Sequence, residues 1–324
     1  MVASEEAIRS YVSLIGGSYV TFGLLGFVCN VATVVMICTN RVYRLSAYTL
    51  MANVALADSI TMLMAGVACG CDILWPDSVY PISNEKIHVL RGAQVYSDEN
   101  LLISYAMLGL NRCIAICYYG TKAKSLNRVS IAVFSSLTTW LIGIVAAIVG
   151  TIPEPLIGIR RDMWTISFIT TDGERPTLFI VLVCLINFFG VAAQWLCSTL
   201  VLLKIRQVKQ KISRNKLNQN SANRFRKQAR LTFQFFYPSV LCTLSTFIYF
   251  IKPYAYHFLS PWQMVLLHMI LLCNHTCNPF IYAYFNDRMR MTYKEMLTCS
   301  AIRYEIRKRR TSHPFHNTRH NISR

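Results

Sequence analysis

The stretch Leu266–Arg290, LLHMILLCNHTCNPFIYAYFNDRMR, decides the fold of this chain. It is a long apolar run with a proline, Pro279, inside the helix that its composition predicts. A proline in a helix interior leaves the carbonyl one turn earlier without its usual donor. In hydrocarbon such a carbonyl must find a partner within the protein. Asn274 and Asn278, one turn apart on one face, are side chains of the required kind. We expect a kinked membrane helix that returns to water on a basic side.

The composition favours a membrane protein. Of the 324 residues, 54% are hydrophobic and 15% are charged, whereas a soluble domain carries about 25% charged residues. The net charge of +18 does not indicate a nucleic-acid partner, because the basic residues cluster between apolar runs, as membrane topology requires. The cysteines lie mostly within apolar runs and lack zinc spacing. We therefore expect no metal centre and no cofactor.

Seven stretches satisfy the requirement of about 20 mostly apolar residues for a spanning helix. They are Gly16–Cys38, Ala47–Gly70, Ala93–Tyr118, Ser130–Ile152, Thr177–Leu203, Leu231–Ile251 and Pro261–Phe285. The sequence thus predicts an all-α seven-helix bundle over residues 16–286, preceded by an extracellular segment, 1–15. Residues 287–298 alternate basic and apolar side chains, as a short interfacial amphipathic helix does. The basic tail, 299–324, is polar enough to be disordered.

The distribution of Lys and Arg indicates the orientation of the bundle. The alternate connections that include Lys204–Arg230 and the tail together carry 25 Lys and Arg, whereas the other set carries 7. Cytoplasmic connections carry the excess of basic residues. This asymmetry predicts an N-terminus outside, a C-terminus inside and an odd number of spans.

Polar residues recur inside three of the predicted spans. Asp58 lies in the second span, where a carboxylate is costly and usually functional, and Asn30 lies in the first. We expect Asn30, Asp58, Asn274 and Asn278 to form one polar cluster between helices one, two and seven. The alternative is a purely structural hydrogen-bond knot.

The string N-P-x-x-Y, formed by Asn278, Pro279 and Tyr282, resembles the last helix of rhodopsin-like seven-helix receptors. Asn30 in the first span and Ala-Asp at Asp58 match the same family. The resemblance implies that the cluster is filled with water, is open to a sodium ion at Asp58 and rearranges on activation. The residues that it assigns to this switch are Asn30, Asp58, Asn274, Asn278, Pro279 and Tyr282.

The third span ends in Asn111-Arg112-Cys113, where the family has an acid, an arginine and an aromatic residue. The resemblance implies that Arg112 contacts a G protein when the bundle opens; the alternative is that it only snorkels to the membrane interface. Because Asn111 replaces the acid and Cys113 the aromatic residue, the local salt bridge to the arginine is lost. We expect a weaker lock on the inactive state.

Further departures narrow the family. The outer cysteine expected near Ile87 is missing, and Pro153–Pro176 contains no cysteine, so we expect no disulfide there. Trp140 in the fourth span matches the family pattern. Leu-Asn-Arg ending at Arg112, together with Gly-Ala-Gln ending at Gln94, is similar to the divergent nematode serpentine chemosensory receptors of the Srx class.

A ligand pocket is expected between the outer halves of the helices, where small-molecule sites of bundles lie. Its candidate residues are Gln94, Asp98, Glu99 and His268. Asp98 precedes Arg112 by 14 residues, which is about 21 Å along a helix. The alternative is that Asp98 or Glu99 only pairs with Arg91 or with a neighbouring helix.

The resemblance implies a G-protein-coupled chemoreceptor, which is not an enzyme. It would sense an extracellular small molecule and activate a heterotrimeric G protein. It would be a multi-pass protein in the lipid of the plasma membrane, which includes the membrane of a sensory neuron's cilium. A seven-helix ligand-gated channel or a transporter is the alternative function. Cys299, which follows the interfacial helix, is a candidate for palmitoylation.

Overall fold

The structure is a computed structural model of the chain. It describes residues 11–75, 102–118, 125–152, 156–160, 163–168, 177–213, 219–255 and 257–298. Within these ranges the helices are α1 (Val12–Thr39), α2 (Ser46–Leu74), α3 (Leu102–Cys117), α4 (Val129–Val149), α5 (Thr177–Ser213), α6 (Gln219–Ala255), α7 (Pro261–Phe285) and α8 (Asp287–Leu297). Two strands, β1 (Ile157–Arg160) and β2 (Thr165–Phe168), form an antiparallel hairpin. The predicted seven-helix bundle with a short C-terminal helix is confirmed.

Five of the described helices, α1, α2, α4, α5 and α7, are long and apolar enough to cross a membrane. The apolar stretches of α3 and α6 are shorter, at Leu102–Cys117 and Phe236–Ile248. Large hydrophobic side chains such as Phe134, Phe188 and Phe247 point outward from the bundle. In water such a surface would aggregate, but lipid is as apolar as these side chains. The outer surface of the bundle is therefore suited to a bilayer.

Helices α1 and α2 approach each other through glycines. Gly23 lies against Gly66, and Gly16 lies against Gly70. Gly66 lies within a segment in which α2 winds more widely, a π-helix over Met62–Ala68. Such a segment releases backbone carbonyls from the regular ladder, and the carbonyl of Ala65 is used by another helix, as described below. Small residues permit this close approach, which makes van der Waals packing a main stabilising force in a bilayer.

The β1–β2 hairpin folds into one end of the bundle, which we call the hairpin end. All four residues of β2 are buried. Phe168 packs on Phe179 of α5 and on Phe250 of α6. At the turn, Trp164 adopts a positive φ of 54°, and its carbonyl accepts a hydrogen bond of 3.0 Å from the Tyr19 hydroxyl. Hydrogen bonds and aromatic packing thus anchor this connection, and the cysteines that the structure describes are free thiols.

Helix α8 lies at the opposite end of the bundle, which we call the α8 end. The Tyr293 hydroxyl is 2.6 Å from the Thr33 hydroxyl of α1, and Thr292 bonds Tyr43. Burial raises the pKa of Tyr293 above its ordinary value. Asn286 is the N-cap of α8, and its side-chain oxygen accepts a hydrogen bond from the backbone N–H of Met289. These bonds hold α8 against α1 and the turn that follows α1.

Candidate functional site

A buried polar cluster joins α2, α3 and α7. Both carboxylate oxygens of Asp58 have partners on α7: the Nδ1 of His275 at 2.8 Å and the amide Nδ2 of Asn278 at 2.7 Å. The same Asn278 nitrogen donates to the hydroxyl of Tyr105 on α3 at 2.6 Å. The structure thus brings Asp58 and Asn278 into direct contact. His275, which the sequence analysis did not select, holds the other oxygen.

The carbonyl that Pro279 releases belongs to His275, four residues earlier, and its partner is Asn30. The amide nitrogen of Asn30 donates to this carbonyl at 3.0 Å and to the carbonyl of Gly26 at 2.9 Å. The expectation that Asn274 or Asn278 would satisfy it is therefore wrong. The amide nitrogen of Asn278 on α7 is committed to Asp58 and Tyr105, whereas that of Asn30 on α1 reaches the kink. Asn30 thereby ties α1 to the proline kink of α7.

Two predicted cluster residues take no part in this hydrogen-bonded set. The side chain of Asn274 is buried, and neither of its polar atoms has a hydrogen-bond partner among the described residues. The hydroxyl of Tyr282 is likewise buried without one. The side-chain oxygens of Asn30 and Asn278 are also buried without a hydrogen-bond partner among the described residues. Buried polar groups of this kind normally bind ordered water, so the geometry fits a hydrated cluster around Pro279.

A sodium ion at Asp58 does not fit the residues present. Sodium requires oxygen ligands, and the carboxylate of Asp58 would have to be the first of them. Both of its oxygens already face protein nitrogens at hydrogen-bond distance. Among the described residues, no group of three or more His, Cys, Asp or Glu side chains could hold a metal ion.

The triplet Asn111-Arg112-Cys113 lies at the α8 end, and its three side chains point in different directions. Asn111 is buried and donates to the hydroxyl of Ser46 at 3.2 Å and to the side-chain oxygen of Asn127 at 2.9 Å. It therefore ties α3 to the beginnings of α2 and α4. Cys113 is buried in an apolar cluster with Cys197 of α5.

Arg112 is half-buried and lines a cleft between α3, α5 and α6. The cleft is also lined by Tyr105 and Gly109 of α3, Ser198 of α5 and Ser239 of α6. Because Tyr105 also bonds Asn278, one residue of α3 joins the polar cluster to the cleft that contains Arg112.

Changing Asn111 to aspartate is expected to destabilise the protein more than changing it to alanine. An ionised carboxylate only accepts hydrogen bonds, so it would face the oxygen of Asn127 without a donor. A buried acceptor without its partner costs about 1–3 kcal/mol. The melting temperatures of Asn111→Asp and Asn111→Ala, measured on purified protein, check this. A more stable aspartate variant would mean instead that the acid pairs with Arg112.

His268 is the described member of the predicted ligand pocket, and it lies directly beneath the hairpin. Its Nε2 donates to the carbonyl of Ala65, 2.9 Å away in the π-helical part of α2. Because a carbonyl only accepts, Nδ1 of a neutral ring accepts from the Thr165 hydroxyl at 2.7 Å. The ring also packs on Tyr19, with centroids 4.3 Å apart. The other predicted pocket residues, Gln94, Asp98 and Glu99, and the lipidation candidate Cys299 lie outside the described residues.

Comparison with known proteins gives the family of the chain. A family model described as the serpentine-type seven-transmembrane G-protein-coupled chemoreceptor Srx matches residues 20–286. The chain belongs to the Srx family of chemoreceptors. This Srx receptor is 58% identical to a "Probable G-protein coupled receptor K01A12.3" of Caenorhabditis elegans, over 97% of the chain and 73% of the relative. Its fold is similar to that of squid rhodopsin in a crystal structure, with a TM-score of 0.74, 15% identity and coverage of 90% of this chain and 87% of that one.

These findings confirm the resemblance from which the sequence analysis argued. The Srx receptor is a multi-pass membrane protein of a receptor class, and that class is not enzymatic. The hydrogen-bonded partners that the sequence analysis missed are His275, Tyr105, Ser46 and Asn127. His275 carried a usable signal, because it precedes Asn278 by three residues and so shares its helix face. The others are ordinary polar residues whose contacts depend on how the helices pack.

Proposed function

We propose that this Srx receptor senses an extracellular small molecule and activates a heterotrimeric G protein by opening the α8 end of its bundle. The observation that carries the proposal is the cleft between α3, α5 and α6 that Arg112 lines. Arg112 is a fixed cation on the side of the bundle from which the basic α5–α6 connection extends. The excess of Lys and Arg on that connection and on the tail supports its location in the cytosol. The receptor would act from the plasma membrane, including a sensory cilium.

The polar cluster is the element that would transmit the signal. Asp58, Asn278 and Tyr105 connect α2, α7 and α3 through direct hydrogen bonds, and Tyr105 extends to the cleft of Arg112. A ligand shifts the equilibrium between two conformations of the bundle only to the extent that it binds one of them more tightly than the other. Buried polar atoms without partners, as in Asn274 and Tyr282, gain hydrogen bonds if the helices rearrange. The cluster therefore favours a bundle with two arrangements of comparable stability.

The ligand would enter at the hairpin end. His268 lies there, fully buried under β2 and bonded to Thr165. A ligand that replaced this bond would move the hairpin and the π-helical part of α2 together, because His268 also holds the carbonyl of Ala65. Gln94, Asp98 and Glu99 are proposed to complete the site from the third helix.

Replacing Arg112 with alanine is expected to abolish ligand-independent and ligand-dependent signalling while leaving the receptor at the cell surface. Loss of a group that contacts a partner directly at the centre of an interface costs about 2 kcal/mol or more, which is at least a thirtyfold loss of coupling. The measurement is a panel of G-protein reporters in cells that express the receptor, normalised to surface level by an epitope tag.

The matched control is Leu110→Ala, on the same turn of α3 but with its side chain exposed on the outer surface of the bundle. It should signal as the wild type does. Equal signalling by Arg112→Ala at equal surface level would refute the coupling role. Silence of the wild type with every G protein in the panel would refute the proposed activity and leave the fold untouched.

A further inference from the structure

Asp58 and His275 are in contact in the interior of the bundle. Asp58 is fully buried and His275 is 4% exposed. The carboxylate oxygen and the ring Nδ1 are 2.8 Å apart. Two acceptors without a proton between them would repel at this distance, so a proton must lie on Nδ1 or on the carboxyl group.

Among the described residues, no lysine or arginine compensates the charge of Asp58. The titratable groups next to Asp58 among the described residues are Tyr105 on α3 and Cys277 and Tyr282 on α7, beside His275 itself. On α1 the facing polar residue is Asn30, which is uncharged. A buried carboxylate with no compensating charge is very unfavourable. The nitrogens of His275 and Asn278 are therefore the groups that compensate this carboxylate in the structure.

We infer that the nitrogens of His275 and Asn278 take the place of a sodium ion at the two carboxylate oxygens of Asp58, so that the receptor is insensitive to sodium. The imidazole ring of His275 occupies the space from which a cation would contact the first carboxylate oxygen of Asp58. Asn278 directs its amide nitrogen, rather than its oxygen, at the second. Neither nitrogen is a ligand for sodium. This inference depends on the described contacts and not on whether the receptor couples to a G protein.

Thermal unfolding of the purified receptor in nanodiscs tests the inference without any ligand or G protein. Melting temperatures are compared in sodium chloride and potassium chloride at an equal ionic strength of about 0.15 M. The wild type is expected to melt at the same temperature in both salts. His275→Ser frees one oxygen of Asp58 and adds a hydroxyl oxygen, so sodium should raise its melting temperature by about 2 °C or more.

Two controls separate ion binding from a change in packing. His275→Phe removes the ring nitrogens but offers no oxygen and little space, so it should not respond to sodium. Asp58→Asn in the His275→Ser background should cancel the response. If His275→Ser does not fold, His275→Asn provides the same test, since its side chain also offers an oxygen.

Two results would overturn the inference. The first is a sodium-specific rise in the melting temperature of the wild type that Asp58→Asn removes, which would mean that the cluster binds the ion beside His275. The second is the absence of any sodium response in folded His275→Ser and His275→Asn, which would mean that His275 is not what excludes the ion.

Discussion

Changing Gly66 to alanine is expected to lower the melting temperature of the receptor by several degrees and its surface level several-fold. A β-carbon at Gly66 would meet the Cα of Gly23, and one at Gly23 would lie 2.7 Å from the backbone nitrogen of Val67. Backbone cannot swing aside as a side chain can, so α1 would have to move away from α2. Overpacking of this kind costs about 1–3 kcal/mol, and occasionally more.

The loss would extend beyond one contact, because α1 carries other bonds that depend on its position. Asn30 on α1 satisfies the carbonyl freed by Pro279, and Tyr19 on α1 anchors the hairpin at Trp164. A shift of α1 weakens both. The measurement is a thermal melt of detergent-solubilised receptor followed by size-exclusion chromatography, together with surface staining of intact cells.

The matched control is Gly17→Ala. Gly17 is on the same helix, but a β-carbon there would have nothing within 4 Å. Alanine also has the better helix propensity, so this variant should equal or slightly exceed the wild type. A Gly66→Ala receptor that melts with the wild type would show that the α1–α2 contact is looser than the structure has it.

Changing Asn53 to leucine should be the most damaging substitution of a polar residue in the bundle. The side chain of Asn53 donates to the Ser104 hydroxyl at 2.6 Å and to Thr139 at 3.3 Å, and it accepts from the indole of Trp140 at 2.6 Å. It thereby joins α2 to α3 and α4. Removing one partner from a buried hydrogen bond costs about 1–3 kcal/mol, and leucine removes three at once.

A double-mutant cycle isolates the bond from the indole of Trp140 to Asn53. Trp140→Phe removes the indole N–H and therefore breaks a hydrogen bond that Asn53→Leu also breaks. The loss of stability in the double variant should therefore be smaller than the sum of the two single losses, by about 0.5 kcal/mol or more. Thr138→Leu is the control, because Thr138 is half-buried next to Thr139 and, among the described residues, its hydroxyl bonds only the Phe134 carbonyl of its own helix. Additive effects of Asn53→Leu and Trp140→Phe would mean that the 2.6 Å contact contributes nothing to stability.

Much of the polar cluster could be predicted from the sequence. A carboxylate and asparagines inside apolar runs are so costly that they must meet one another, and Asp58 and Asn278 do. Which oxygen faces which donor could not be predicted, because a helix turned by one residue, about 100°, presents a different side chain. The rotation of α7 places His275 next to Asp58, whereas Asn274, one residue earlier, faces another direction.

The same limit explains the two ends of the bundle. The absence of a cysteine in Pro153–Pro176 predicts that no disulfide forms there. The sequence contains no comparable indication that β2 would be buried and that Thr165 would bond His268. The residues around Arg112 were recognised by their order along the chain, whereas the bonds of Asn111 to Ser46 and Asn127 join three segments that are distant in sequence.

The sequence by itself determined that the chain is a membrane bundle of seven helices and that it resembles one receptor family. These properties follow from the length of the apolar runs and from short motifs within single helices, and both are local. Only the tertiary structure decided that Asn30 satisfies the carbonyl freed by Pro279, that His275 contacts Asp58 and that a hairpin covers His268. Each of these contacts depends on the rotation and depth of one helix against another, which the packing of the whole bundle determines.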